Sequence, residues 1–413
     1  MQITGIVAEY NPFHMGHAYQ IQKIREILGQ QTAGEPAIFN KYARAEAALA
    51  GGADLVLELP LPWCIGSAEF FAGGAIEILN RLQVVDYLCF GSESGNLADM
   101  QEIARAEDSP EYSVVLSEKL QQGVSFPTAR QQALQEMAGA AANCLATPND
   151  LLGIEYLKAL NRKNSSICPM PIQRVGAAHD RETDQLMKSG SELRKILTES
   201  EGTYNHIDLC AHLFPKPVWE IWNREVQAGR GPITMARMEP MMMSRLRFLK
   251  EADFVDLPDV SEGLEHKLYT ACRTASGVDA ICTAVKSKRY TYARVRRMVL
   301  FAALGIQKSD FKTAPNYARV LAANSRGTEI LRAAKMQGNI DIISKPAAIR
   351  KLGPEAQHIF DCTSRGHDFY VLSYKDAGNY AGSADWKTSP YIRWEKYFEI
   401  SANKCCIIVR KGL

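Results

Sequence analysis

Ile3-Thr4-Gly5-Ile6-Val7-Ala8-Glu9-Tyr10-Asn11-Pro12-Phe13-His14-Met15-Gly16-His17-Ala18-Tyr19-Gln20 opens the chain and decides its fold. The apolar run 3–8 reads as a buried strand. Pro12 has no N–H to give to a central ladder, so that strand ends before it. Gly16 lets backbone come close to a ligand. The helix expected over 18–28 offers unpaired N–H groups and the positive end of its dipole, which suit an anion. His14 and His17, on the turn between, can donate hydrogen bonds to phosphate oxygens. Strand, turn, His-x-Gly-His and helix in that order point to a phosphate-binding crossover. The same histidines would also serve as buried turn residues bonded to backbone. A zinc site at the turn lacks a third His, Cys or Asp close in sequence.

Working outward, the first half alternates strands and helices. Helices are expected over 41–50, 67–82, 97–107, 110–121, 128–138, 149–160 and 191–198. Strands are expected over 54–59, 84–90 and 172–175, with a turn at Gly34-Glu35-Pro36. Strands separated by helices imply a parallel sheet covered on both faces, with ligands bound beyond the carboxyl ends of its strands. His14/His17, Gly91/Ser92 and Arg174 would gather on that edge. From about residue 201 helical periodicity dominates, over 217–226, 235–250, 261–275, 279–285 and 291–304. Met238, Met241, Met242 and Met243 read as adaptable core packing. The last third mixes helix and strand, with strand-like runs at 341–346 and 405–409. The fold class expected is therefore α/β: an N-terminal Rossmann-like parallel-sheet domain over 1–200, a mainly helical region over 201–330, and a mixed segment over 331–413.

Composition narrows the function classes. The chain has 413 residues, a net charge of +2, 46% hydrophobic and 23% charged residues, as in globular proteins. Near-neutral charge gives no global sign of nucleic-acid binding, so any such surface is a local patch. The densest basic run is Lys286, Lys288, Arg289, Arg294, Arg296 and Arg297, interleaved with Tyr290 and Tyr292. Arg294 and Arg297 share a helix face. Phosphate contacts beside a stacking aromatic suit RNA; a solvated helix paired with nearby acids is the alternative. The ten cysteines form no C-x-x-C pair and read as small core hydrophobes of a reducing compartment. No apolar run is long enough to span a bilayer, and the first residues enter a core strand rather than a signal peptide. A cytoplasmic location is expected, without membrane or DNA partners.

Several long motifs in fixed order extend this reading. They are residues 9–17, Gly34-Glu35-Pro36-Ala37, Arg44-Ala45-Glu46, residues 52–60, Phe90-Gly91-Ser92-Glu93, residues 148–156, residues 289–297 and Thr388-Ser389-Pro390. Together they resemble the bacterial tRNA(Met) cytidine acetate ligases of the HxGH nucleotidyltransferase superfamily, over nearly the whole chain. The resemblance implies an enzyme that uses ATP, with Mg²⁺, to convert acetate into acetyl-adenylate. The acetyl group then passes to N4 of the wobble cytidine of elongator methionine tRNA. It implies an ATP-binding segment of Val7, Ala8, Glu9, Tyr10, Asn11, Pro12, Phe13, His14, Met15, Gly16, His17, Ala18, Tyr19 and Gln20, with Gly91, Asn149, Arg174 and Val175. His14, His17 and Arg174 would be catalytic, and Lys288, Arg289, Arg294 and Arg297 would bind RNA. No protein ligand to a metal is implied.

In-line attack at the α-phosphorus builds negative charge, so positioning and charge stabilisation are the protein's work. Arg174 would hold a phosphate or the carboxylate through its planar fork. Gly91 would let nucleotide lie against backbone, or close a turn. Asn149 would bond a base edge or ribose, or cap a helix. Ser189-Gly190-Ser191-Glu192-Leu193-Arg194 resembles the superfamily's phosphate-clasping segment and ranks below Arg174. Two other functions remain open. One is adenylylation of a small cofactor precursor; the other is RNA binding without catalysis.

The chain departs from the family in one place. The family has a strand between the first helix and the Gly-Glu-Pro-Ala turn, and Leu28-Gly29-Gln30-Gln31-Thr32-Ala33 leaves no room for one. Either the strand is absent or the sequence omits residues there; its loss would leave ladder groups unpaired and could displace the phosphate site.

Overall fold

The computed structural model describes residues 2–15, 17–18, 37–173, 190–199, 210–261, 263–288, 290–394 and 404–411. The expected helix beyond Ala18, the turn at Gly34-Glu35-Pro36, and Gly16, Tyr19, Gln20, Arg174, Val175 and Arg289 lie outside the described residues.

The strands are β1 (Gln2–Ala8), β2 (Leu55–Leu59), β3 (Tyr87–Ser92), β4 (Cys168–Gln173), β5 (Tyr317–Asn324), β6 (Asp341–Ile343), β7 (Tyr391–Arg393) and β8 (Lys404–Lys411). They form one sheet in the order β4-β3-β1-β8-β2-β5-β6, with β7 also paired to β5. The pairs β4–β3, β3–β1, β1–β8 and β8–β2 are parallel. β5 runs antiparallel to β2, with β6 and β7 parallel to it.

The place beside β1 is filled from the far end of the sequence. β8 pairs with β1 from Gln2↔Lys404 to Ala8↔Arg410, and with β2 from Leu55↔Ile407 to Leu59↔Lys411. The expected loss of ladder partners is thereby corrected: β1 is bonded on one side to β3 and on the other to β8. Asp54 locks the join. Its carboxylate accepts the Cys406 N–H at 2.9 Å and the Asn324 side-chain amide at 2.9 Å. Its own N–H donates to the Cys406 carbonyl.

Both faces of the sheet are covered, which is why its strands read as continuous apolar runs. Ile3, Val7, Leu57, Ile407 and Val409 share one buried cluster with the helix Ala68–Leu82. Ile6, Ala8, Val56, Cys406 and Ile408 share another with the helices Lys41–Ala50 and Gly190–Glu199 and with Trp222. β4 begins four residues earlier than the expected start at residue 172. Pro169 and Pro171 masked it, and both are tolerated because β4 is an edge strand.

The helices Lys216–Gln227, Met235–Phe248, Leu264–Thr274, Val278–Val285 and Tyr292–Leu304 make up the helical region. Met238, Met242 and Met243 are buried there and Met241 packs against the same core. The chain returns to the sheet at β5, inside the stretch 201–330 expected to be helical. Among the described residues no helix is long and apolar enough to cross a membrane.

Candidate active site

β1 ends at Ala8, and the turn that follows is held by backbone carbonyls gripped from several directions. The Arg44 guanidinium donates to the Glu9 carbonyl at 2.9 Å, Arg194 to the Asn11 carbonyl at 3.0 Å, and the Trp222 indole to the Phe13 carbonyl at 3.2 Å. The Asn11 side chain accepts the Ile38 N–H at 2.8 Å. Arg44 is fully buried, so its charge faces only such carbonyls and neighbouring groups. Tyr10 holds φ of 45°, unusual for a residue with a side chain. Its ring packs at 4.8 Å on Phe13 and 4.7 Å on His17. Gly51 makes room for this packing, since a Cβ there would lie 2.0 Å from the Phe13 ring.

The helix begins inside the motif. The His14 carbonyl accepts the N–H groups of His17 and Ala18 at 2.9 and 3.0 Å. The two imidazoles lie with centroids 3.9 Å apart, and the His14 N–H donates to His17 Nδ1 at 3.3 Å. That bond assigns the His17 ring proton to Nε2, making Nε2–H a donor. Burial, together with the neighbouring Arg194 guanidinium, pushes the His14 pKa down to about 3. His14 is therefore a neutral imidazole at physiological pH. Neutral imidazoles beside an arginine, at a helix start and the carboxyl end of a parallel strand, form a donor set for oxyanions.

The remaining expected residues fall into groups. Val7, Ala8, Glu9, Tyr10, Asn11, Pro12 and Phe13 are buried in β1 and the turn; Met15 and Ala18 are half-buried at the helix start. Gly91 sits near the carboxyl end of β3, paired with Ile172. Asn149 is engaged locally. Its amide donates to Glu93 Oε1 at 2.5 Å, and Glu93 Oε2 accepts the N–H groups of Asn149 and Asp150. Asp150 in return accepts from the Ser92 hydroxyl and from the Glu93 and Ser94 N–H groups. The β3 end and the helix Pro148–Arg162 thus cap each other. Arg194 ranked below Arg174 on sequence; Arg174 lies outside the described residues, and Arg194 joins the histidine turn through the Asn11 carbonyl. The signal was present in Ser191 and Arg194 opening a short helix. Arg44 and Trp222 were missed as braces of the turn, because they act on carbonyls far away in sequence.

The basic run is a second, separate feature. Arg294 donates to the Asp259 carbonyl at 2.9 Å, and Arg297 meets the Asp259 carboxylate at 3.3 Å. Tyr290 is buried with the Arg294 guanidinium 5.0 Å above its ring. Lys286 and Lys288 are exposed.

Fold and turn together define a nucleotidyltransferase of the His-x-Gly-His type, and residues 1–385 match the HIGH Nucleotidyl Transferase family model. The tRNA(Met) cytidine acetate ligase of Acetivibrio thermocellus is 35% identical over 401 residues, covering 91% of this chain and 96% of that protein. That of Alkaliphilus metalliredigens is 34% identical, covering 96% and 100%. The crystal structure of Thermotoga maritima TmcAL bound with alpha-thio ATP superimposes with a TM-score of 0.86 at 29% identity, covering 96% of this chain and 100% of that one. The chain belongs to the HIGH nucleotidyl transferases and, within them, to the tRNA(Met) cytidine acetate ligase family.

Proposed function

We infer that this chain is an ATP-dependent ligase that makes acetyl-adenylate and transfers the acetyl group to N4 of the wobble cytidine of elongator tRNA(Met). The observation that carries the reading is the histidine turn: two buried imidazoles, 3.9 Å apart, beside Arg194 at a helix start. An acetate oxygen attacks the α-phosphorus in line and pyrophosphate leaves. The cytidine amine then attacks the acyl carbon and AMP leaves. The protein forms no covalent bond to either intermediate. His17 Nε2–H and His14 donate to phosphate oxygens, and Arg174, with Arg194 beside the turn, balances the charge.

Mg²⁺ would enter with the nucleotide. It prefers oxygen ligands and retains waters; the Asn11 side-chain oxygen already accepts the Ile38 N–H, and the groups proposed to face the phosphates are imidazoles and a guanidinium. They fit the phosphates rather than the ion, so phosphate oxygens and water would hold it and it would offset their charge.

Lys288, Arg289, Arg294 and Arg297 are proposed to meet the tRNA. For Arg294 and Arg297 this requires exchanging Asp259 for phosphate. The supporting features are the exposed lysines and the size of the helical region, which a small acceptor would not need.

The test is incubation with ATP, labelled acetate and elongator methionine tRNA. Label in the tRNA is expected. ATP–pyrophosphate exchange without label in tRNA would mean another acceptor, and RNA binding with neither would mean a non-catalytic relative.

A further inference from the structure

Away from the nucleotide turn, three side chains of metal-ligating type converge. His358 and Cys362 lie one turn apart on the helix Pro354–Val371, and Asp310 comes from the short turn Lys308–Phe311. His358 Nε2 is 2.7 Å from Asp310 Oδ1 and 3.5 Å from Cys362 Sγ. The three ligand atoms all lie within 4.8 Å of one another.

The pattern excludes the obvious alternative. A nucleophilic triad needs the carboxylate on one imidazole nitrogen and the thiol on the other. Here the same nitrogen faces both. One Nε2 carries either one proton or one lone pair, so it cannot donate to the carboxylate and take the thiol proton at once. A cation placed between the three would satisfy all of them.

The distances discriminate among cations. With Zn–S of about 2.3 Å and Zn–N of about 2.0–2.1 Å, a tetrahedral S···N edge is about 3.5 Å. The Cys362–His358 separation is 3.5 Å. An O···N edge would be about 3.3 Å on the same geometry, so the His358–Asp310 pair must open from 2.7 Å. His358 is exposed and can swing; Asp310 and Cys362 have side chains mostly buried and form the fixed part. A set of thiolate, imidazole and carboxylate is the choice of zinc rather than magnesium or calcium.

We propose that Asp310, His358 and Cys362 form a three-ligand site for a divalent zinc-class cation, with a solvent-facing fourth position. The site would tie the Lys308–Phe311 turn to the helix Pro354–Val371. Arg365 Nη2 lies 3.3 Å from Cys362 Sγ and is suited to donate a hydrogen bond to a bound thiolate, in the manner of outer-shell partners. Binding by the thiolate releases the thiol proton. The groups facing Cys362 are Asp310, Asp361, His358 and Arg365. The sequence alone hid the site because Asp310 precedes His358 by 48 residues.

The experiment uses the full chain, freed of metal with a chelator and titrated with Co²⁺ and then Zn²⁺. One equivalent of Co²⁺ should give tetrahedral d–d bands and a thiolate-to-cobalt charge-transfer band, both lost when Zn²⁺ displaces it. H358Q changes an exposed side chain and should fold normally; it should weaken Co²⁺ binding at least tenfold. C362S should remove the charge-transfer band, and Zn²⁺ should raise the melting temperature of the parent chain but not of H358Q. Absence of a charge-transfer band in the parent chain overturns the proposal. So does a band that persists in C362S, since it would then come from another cysteine, or equal zinc stabilisation of the parent chain and H358Q.

Discussion

The histidine turn and the basic run look alike as sequence, each a short stretch of hydrogen-bond donors beside aromatic residues, but the fold treats them differently. At the turn, protein donors fill the backbone carbonyls of Glu9, Asn11 and Phe13, which fixes the loop and leaves its imidazoles side by side at the helix start. In the basic run, Arg294 and Arg297 converge on Asp259 and Arg294 covers Tyr290. A distant part of the chain decides each case: partners of the backbone build a site, whereas a counter-charge on the side chains closes one. Local spacing records neither.

The largest effect that separates the two regions comes from His17. H17A should lower acetate-dependent pyrophosphate release on the order of 10²–10³-fold, as loss of one charge-stabilising donor does, while tRNA affinity stays unchanged in filter binding. An H17A protein with full turnover would remove the turn from the chemistry. Next is G51A. The added Cβ would meet the Phe13 ring at 2.0 Å, so overpacking should destabilise the fold by about 1–3 kcal/mol. It should also raise the KM for ATP; a Tm loss with unchanged KM would mean that Phe13 does not position the turn.

A third experiment reads His14. Folded, it takes a proton only near pH about 3; unfolded, it does so near about 6.5. Between those values the unfolded chain holds more protons, so stability rises with pH there. The His14 contribution is fully present above about 6.5 and is lost as the pH falls toward about 3. Urea midpoints from pH 7 to pH 4 should fall more steeply for the parent chain than for H14Q, and parallel curves would mean that His14 is not held neutral. The smallest effect sharpens the other half of the comparison. Asp259 has φ of 67°, which Asn tolerates, so D259N should remove the counter-charge that Arg297 meets without straining the backbone, while Arg294 keeps its bond to the residue 259 carbonyl. A few-fold gain in tRNA affinity with a steeper salt dependence is expected if Arg297 reaches phosphate. An unchanged salt slope would leave it in a structural pair.

Much of the sheet was legible because its strands are apolar runs cut by Gly or Pro. Leu55–Leu59, stopped by Pro60, is the clearest case. β5 was not legible. All eight of its residues are buried, but Arg319 breaks the apolar run. Its charge is met by Glu58 at 3.2 Å and Asp385 at 3.1 Å, which only the folded chain supplies. The site followed the same rule. The histidines could be read because strand, turn and helix are contiguous. Arg44 and Trp222 could not, since the turn carbonyls they grip are 35 and 209 residues away.

The position of β8 has a consequence for biosynthesis. β1 and β2 emerge from the ribosome long before residues 404–411, which lie between them in the finished sheet. For most of translation the nascent chain therefore carries two open edges facing a vacant groove. Such edges invite pairing with other chains. An unfinished polypeptide has the histidine motif but not the sheet that aims it, so competence to use ATP would arrive late and all at once. Early termination would produce sticky fragments rather than a smaller working enzyme.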